Sequence, residues 1–225
     1  MRLVLWEVDA QADFMLPGGK LYVPGAERII PNLDRLVEVA RRGRVLLISS
    51  VDAHNPDDPE FRDWPRHCVK GTLGAELIPE ARAGTRMVIP NQKDFAFPGD
   101  LGAYQQILLE KNTLDVFDNP NTDKLLAELI GRQKTDADSG PELLVFGVAT
   151  EYCVRCAAEG LLRRGFPVSV IEDATQSLDP KKGRAILDDL QSRGVRLVSS
   201  EQALAFVDRH TSAASKSKMD KAART

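Results

Sequence analysis

Two stretches of the chain carry reactive side chains at spacings that chemistry uses. The first is Asp52-Ala53-His54, with His67 further along. Residues two apart in an extended segment point to the same side, so this carboxylate and imidazole can share one ion, and His67 would close the set. Nitrogen and oxygen donors suit one divalent ion of Zn, Mn or Fe. The chain has 3 histidines, and two of them fall here, whereas His210 lies past the last helical stretch near the tail. Glu60 is a candidate fourth ligand, although an acid at the surface or one supporting the ligands from behind suits it better. The plain alternative for His54 and His67 is ordinary hydrogen bonding in a loop.

The second stretch is Cys153-Val-Arg-Cys156. Cys153 follows the most apolar run of the chain and opens a helix-like one. Backbone N–H groups and the positive helix end there favour a thiolate, and a nearby lysine would favour it further. Against this stands the common fate of a free cysteine, which is to fill a core. The C-x-x-C spacing also belongs to thiol–disulfide oxidoreductases, but neither Gly nor Pro separates these thiols. Cys156 reads as facing the inner side of its helix, and Cys68, beside His67, as a residue of the core. Asp13, close after the acidic Asp9, reads as a structural hydrogen-bonding group.

These residues need elements to position them. Apolar runs at Leu3–Val8, Arg44–Ser49, Arg86–Pro90, Gln105–Glu110, Glu142–Val148, Pro167–Ile171 and Val195–Val198 predict strands. Helical spacing predicts helices over Glu27–Arg41, Thr122–Ile130, Tyr152–Arg164, Lys181–Arg193 and Glu201–Arg209. Gly43, Gly165 and Gly194 stand as stops, and Thr122 as an N-cap. Continuous apolar strands separated by helices predict an α/β fold: three layers, with a mostly parallel sheet and helices on both faces. In such sheets ligands collect beyond the carboxyl ends of the strands. Asp9, Asp52, His54, Lys111, Ala149, Thr150 and Cys153 all follow strand-like runs there. The stretch from Asp52 to Gly102 is rich in Pro, Gly and charge, and a loop of that length is usually functional.

The chain has 225 residues and a net charge of −3, with 43% hydrophobic and 28% charged residues. That composition supports one globular domain over residues 1–210. The polar tail, residues 211–225, is expected to be disordered. The acidic balance argues against a nucleic-acid partner, and no apolar run approaches a membrane span. Its 3 cysteines cannot make a fully paired disulfide framework, so the expected compartment is the reducing cytoplasm. Homo-oligomerisation is left open.

Beyond these readings, the chain resembles a nicotinamidase of the isochorismatase-like cysteine hydrolase superfamily. The resemblance rests on Val8-Asp-Ala-Gln-Ala-Asp-Phe14, Asp52-Ala-His54 and Trp64-Pro-Arg-His-Cys-Val69 followed by Gly71-Thr72 and Gly74-Ala-Glu-Leu77. It continues with Phe146-Gly-Val-Ala-Thr-Glu-Tyr-Cys-Val154 and the later Ile171-Glu-Asp-Ala174. It implies an isochorismatase-like fold and a small-molecule amide substrate. Asp9, Lys111 and Cys153 would be the catalytic triad, and Asp52, His54 and His67 the ligands of one divalent ion. The N–H groups of Ala149 and Cys153 would form the oxyanion hole, with a cis peptide at Val148–Ala149. Phe14 and Trp64 would flank the substrate ring.

Lys93 also follows a strand-like run. In the family the lysine precedes a phenylalanine and then a helix, an order that Lys111, Phe117 and Thr122–Ile130 reproduce. Residues 86–103, around Lys93, then look like an insertion. Leu114-Asp-Val-Phe117 stands where the family's nicotinamidases carry an aromatic-Ser-small-Phe element, so the reaction class is kept while the substrate is left open. The alternatives are hydrolysis of another small amide or carbamoyl compound, vinyl-ether hydrolysis of the isochorismatase type, redox chemistry at Cys153 and Cys156, or a binding module without catalysis. The metal set and Cys153 favour amide hydrolysis over the vinyl-ether reaction.

Overall fold

The computed structural model describes residues 3–131 and 140–210. The tail expected to be disordered lies outside the described residues. Seven strands form one sheet: β1 (Leu3–Val8), β2 (Leu46–Asp52), β3 (Arg86–Ile89), β4 (Gln106–Lys111), β5 (Glu142–Val148), β6 (Val168–Gln176) and β7 (Arg196–Val198). Their order across the sheet is β3-β4-β2-β1-β5-β6-β7. Every pairing is parallel, so the expected mostly parallel sheet is parallel throughout the described residues.

Alternate strand residues feed two apolar layers. Leu3 and Leu5 of β1 pack with Leu33, Leu36 and Val37 of α2 (Ile30–Arg41) and with Ala203 and Val207 of the last helix, residues 200–210. Val4 and Trp6 point the other way. They pack with Leu125 and Leu129 of α3 (Thr122–Gly131), Ala158 and Leu161 of α4 (Arg155–Arg163) and Leu190 of α5 (Pro180–Ser192). A short helix, α1 (Ala12–Met15), follows β1 at the carboxyl edge of the sheet.

Several elements depart from their sequence boundaries for local reasons. β2 runs on through Ser49 and Ser50 to Asp52 because both serines find buried partners in β1's segment: Ser49 Oγ donates to Glu7 at 2.6 Å and Ser50 Oγ to Asp9 at 2.8 Å. β6 continues past Ile171 to Gln176, with its register against β5 shifting between Val145 and Gly147. Gly147 has φ +120°, and a side chain there would run into the Val8 carbonyl. Its absence lets β1 and β5 approach just before Asp9 and Ala149. The predicted helix over Glu27–Arg41 begins as a 3₁₀ turn, Ala26–Ile29, and Pro31 sits in the first turn of α2, where its missing N–H is harmless. Thr122 does not cap α3, because it is already the first residue inside that helix, and its hydroxyl donates to the Val116 carbonyl at 2.7 Å. Residues 86–103 are not wholly an insertion beside the fold, since Arg86–Ile89 is β3, the outer strand paired to β4.

Candidate active site

Four neighbouring strands deliver the candidate residues to one edge. β4 ends on Lys111, β2 ends on Asp52 directly opposite it in register, Asp9 follows β1, and Ala149 and Cys153 follow β5. Asp9 has φ 51°, a left-handed backbone that turns the chain out of the strand. Its N–H donates to the Ser50 carbonyl at 3.1 Å.

Lys111 is 1% exposed and lies at the centre of the group. Its Nζ is 2.9 Å from Asp9 Oδ2 and 3.5 Å from Cys153 Sγ, and it donates to Asp52 Oδ1. Lys93 is exposed, and its carbonyl accepts from Lys124 Nζ at 3.3 Å. The structure therefore brings Lys111, and not Lys93, to Asp9 and Cys153.

Burial opposes the charge on Lys111, but Asp52, Asp9 and Cys153 outweigh it and hold its pKa well above the ordinary lysine value. Burial raises the pKa of Asp9, opposed by Lys111 and reinforced by Asp52. For Asp52 burial is overcome by Lys111, His54 and His67, so its carboxyl is held well below the usual carboxylate range. Cys153 corrects the sequence expectation of a favoured thiolate. Burial pushes its thiol well up, Lys111 opposes this, and Asp9 and Asp52 add to it. The backbone also differs from that expectation. Cys153 lies inside a π-helical turn, Thr150–Val154, ahead of α4, and not at the start of an α-helix. The Val148–Ala149 peptide is cis, as expected. The Ala149 carbonyl accepts from the N–H groups of Tyr152 and Val154 at 3.1 and 3.2 Å.

Asp52, His54 and His67 each offer a ligand atom within 4.8 Å of the others. Each ring is fixed by its other nitrogen. His67 Nδ1 is 2.7 Å from the Pro65 carbonyl, and His54 Nδ1 is 3.0 Å from Asp58 Oδ2. Nδ1 must donate to the Pro65 carbonyl, which leaves Nε2 of neutral His67 as a lone pair facing Asp52 Oδ2 at 3.3 Å. His54 Nε2 is buried without a hydrogen-bond partner among the described residues. Two such nitrogens and a carboxylate oxygen directed at one point are the donor set of a divalent metal, and their ring partners are the outer supports such sites need. The residues present fit the ion. Glu60 is half-buried beside this set and lines the adjoining pocket.

The pocket is a cleft with about 390 Å³ of atom-free space, part of it open to solvent. Asp9, Asp52, His67 and Cys153 form its reactive side. Phe14, Leu21, Val23, Trp64, Leu114, Tyr152 and Leu178 supply apolar walls. Trp64 meets Tyr152 edge to face at 5.2 Å, and Phe14 lies 5.3 Å from the His67 ring. Phe14 and Trp64 both line this pocket, and Leu114 occupies part of its wall.

Supporting residues beyond the sequence reading complete the arrangement. Gln11 bridges Asp52 in both directions: its Nε2 donates to the Asp52 carbonyl at 2.7 Å, and its Oε1 accepts the Asp52 N–H at 2.7 Å. Their signal in the sequence was only proximity to the D-x-H pair or to Asp9, shared by many polar neighbours. Asp13 takes the structural role expected of it, accepting from the N–H groups of Lys20 at 3.0 Å and Cys68 at 2.8 Å. Cys68 is fully buried, and burial pushes its thiol strongly up, which suits a core residue.

The fold agrees with known proteins. The sequence matches the isochorismatase domain over residues 3–93 and 82–202, and the chain belongs to that family. It is 29% identical over 201 residues to the nicotinamidase/pyrazinamidase of Mycobacterium tuberculosis, covering 86% of this chain and 96% of that one. It is 26% identical over 199 residues to a probable inactive nicotinamidase of Arabidopsis thaliana, covering 84% of this chain and 88% of the relative. The pyrazinamidase of Pyrococcus horikoshii in complex with zinc superposes with a TM-score of 0.67 at 28% identity, covering 88% of this chain and 99% of that one. Among the described residues no helix is long and apolar enough to cross a membrane.

Proposed function

We propose that this protein hydrolyses a small aromatic carboxamide of the nicotinamide type to the acid and ammonia through a thioester on Cys153. The observation that carries the reading is the placement of Lys111 Nζ between Asp9 at 2.9 Å and the Cys153 sulfur at 3.5 Å, beside an apolar pocket. The relatives named nicotinamidase and pyrazinamidase support it.

The nucleophile starts as a thiol, in keeping with the direction in which burial pushes Cys153. Asp9 accepts that proton as the sulfur attacks the carboxamide carbon. Lys111 stays charged and balances the negative charge passing between sulfur and carboxylate. The N–H groups of Ala149 and Cys153 hold the developing oxyanion, a contribution of about 3–4 kcal/mol per donor in comparable sites. Asp9 returns the proton to the departing nitrogen, which leaves as ammonia. Water then cleaves the thioester, releasing the acid and restoring the thiol. Phe14 and Trp64 hold the ring during these steps. Asp52, His54 and His67 hold one divalent ion, which when bound supplies a Lewis-acidic partner for a ring nitrogen or a water.

Ammonia release from nicotinamide, pyrazinamide and small aliphatic amides tests the proposal. Turnover of the aromatic amides is expected. Turnover confined to aliphatic or carbamoyl compounds would keep the chemistry and replace the substrate, and absence of ammonia from every amide would overturn the reading.

A further inference from the structure

The turn that bears Cys153 is tied to the far wall of the pocket by a residue outside the pocket lining. Glu151 is half-buried, and its carboxylate accepts two backbone N–H groups, from Leu178 at 3.2 Å and from Asp179 at 2.7 Å. Both belong to the connection between β6 and α5. Asp179 in turn caps α5, accepting from the N–H groups of Lys181 and Lys182 at 2.9 and 3.2 Å. At the start of the same connection, Gln176 Nε2 donates to the Pro24 carbonyl at 2.8 Å. That bond anchors the connection to the segment carrying Leu21 and Val23. Ser177 fits closely against Gly183 of α5, where any side chain would collide with it. Leu178 is therefore held from both sides, and its side chain lines the pocket together with Leu21 and Val23.

We propose that Glu151 is a positioning residue for substrate selection, acting through Leu178 to set how large a group the site accepts beyond the reacting carbon. Charged acceptors make the stronger hydrogen bonds to backbone donors, so one carboxylate can fix the connection where a neutral group would leave it looser. A wall residue displaced or shortened by about one carbon changes discrimination in an apolar pocket by about tenfold or more. The inference deepens the hydrolase reading and rests on it only for the kinetic part of its test.

The test uses the full chain carrying Cys156→Ser, with Glu151→Ala, Glu151→Gln and Leu178→Ala added singly, and Glu151→Ala combined with Leu178→Ala. Alkylation of Cys153 by iodoacetamide and by its bulkier N-benzyl analogue is followed by peptide mass, and KM and kcat are measured on nicotinamide. Glu151→Ala should bring the two alkylation rates closer by about tenfold, leave the iodoacetamide rate nearly unchanged, and raise KM more than kcat falls. Leu178→Ala should do the same, and the double variant should be no worse than either single one, because both changes act on one wall. Glu151→Gln keeps one acceptor and should fall between.

Additive effects in the double variant would overturn the proposal. So would loss of iodoacetamide reactivity together with kcat at unchanged size selection, which would make Glu151 a support of the nucleophile's turn. Should nicotinamide not be turned over at all, the alkylation ratios still decide the role of Glu151, while the substrate reading fails separately.

Discussion

Lys111 and Asp52 form a buried ion pair that joins the two halves of the candidate site. The ammonium reaches Asp9 at 2.9 Å and the Cys153 sulfur at 3.5 Å, while the second oxygen of Asp52 faces His67 Nε2 at 3.3 Å. One carboxylate thus serves the lysine and the candidate metal ligands together. A change on either side is felt by the other through a path of two hydrogen-bonded groups.

Replacing the proposed nucleophile separates chemistry from fold. Cys153→Ala should lower kcat by about 10⁴-fold or more, with an unchanged thermal transition. Cys156→Ala should keep most of the activity, since Cys156 lies in α4 beyond the turn that presents Cys153. Steady-state ammonia release on both variants checks this, and near-normal turnover by Cys153→Ala would exclude the thioester route.

Lys111→Met should slow iodoacetamide modification of Cys153 at pH 8, because removing the ammonium leaves burial, Asp9 and Asp52 to oppose the thiolate. Leaving buried carboxylates without their partner should also destabilise the fold by about 3–5 kcal/mol. Lys93→Met, at an exposed position, should alter neither quantity appreciably. Alkylation rates against pH and urea transitions for both variants provide the comparison. The assignment fails if Lys93→Met slows alkylation and Lys111→Met does not.

The Asp52, His54 and His67 set predicts about one divalent ion per chain in protein purified without chelator. Elemental analysis measures it directly. Chelation should lower Tm, and His67→Ala should abolish both the ion and the chelator effect. A ligand present at 100 times its Kd stabilises by about 2.7 kcal/mol, so the shift should be plainly measurable. Full activity and an unchanged Tm in metal-free protein would count against the site.

Glu7 predicts an alkaline loss of stability. It is fully buried in β1, its Oε2 accepts from Ser49 and its Oε1 has no hydrogen-bond partner among the described residues. Burial raises its pKa to about 8; Asp9 adds to the shift, and Ser49 and Arg41 oppose it. An unfolded glutamate releases its proton near pH 4.5. Between those values the native state keeps a proton that the unfolded chain has lost, so stability falls as pH rises and levels off above about 8. The full effect is about 5 kcal/mol. Glu7→Gln removes the titration, and its stability advantage over the parent should grow between pH 5 and pH 8. Urea transitions at several pH values measure that difference, and parallel curves for the two proteins would contradict it.

The sequence showed the sheet through its apolar runs, because β1 and β5 are buried at every position and leave no ambiguity of face. It was least informative where polar residues continue a strand. Ser49 and Ser50 look like a strand end until Glu7 and Asp9 are seen beside them, and Glu172 and Asp173 hide the second half of β6 in the same way. The candidate triad and metal set stood out because the chain has only 3 histidines and 3 cysteines, and because their spacings to Asp9, Asp52 and Lys111 resemble those of a known family. Asp58 and Pro65, which orient the two histidines, were not, since a carboxylate or a carbonyl in a loop carries no distinguishing pattern. Leu21, Val23 and Leu178 were missed for a related reason. They are common apolar residues, and only the bonds of Glu151 and Gln176 bring the last of them to the pocket.

The spatial run β4-β2-β1-β5 delivers the four reactive positions, although these strands are distant in the chain. No fragment ending before Cys153 holds both the thiol and its partners, and no fragment beginning after Asp9 holds all of them. The reactive edge therefore comes into existence only when the central strands have closed long loops onto one another, an entropic cost met late in folding. During refolding, the characteristic reactivity of Cys153 should return with the final cooperative phase and not with early helix formation, so the enzyme's own chemistry reports on the completion of its sheet.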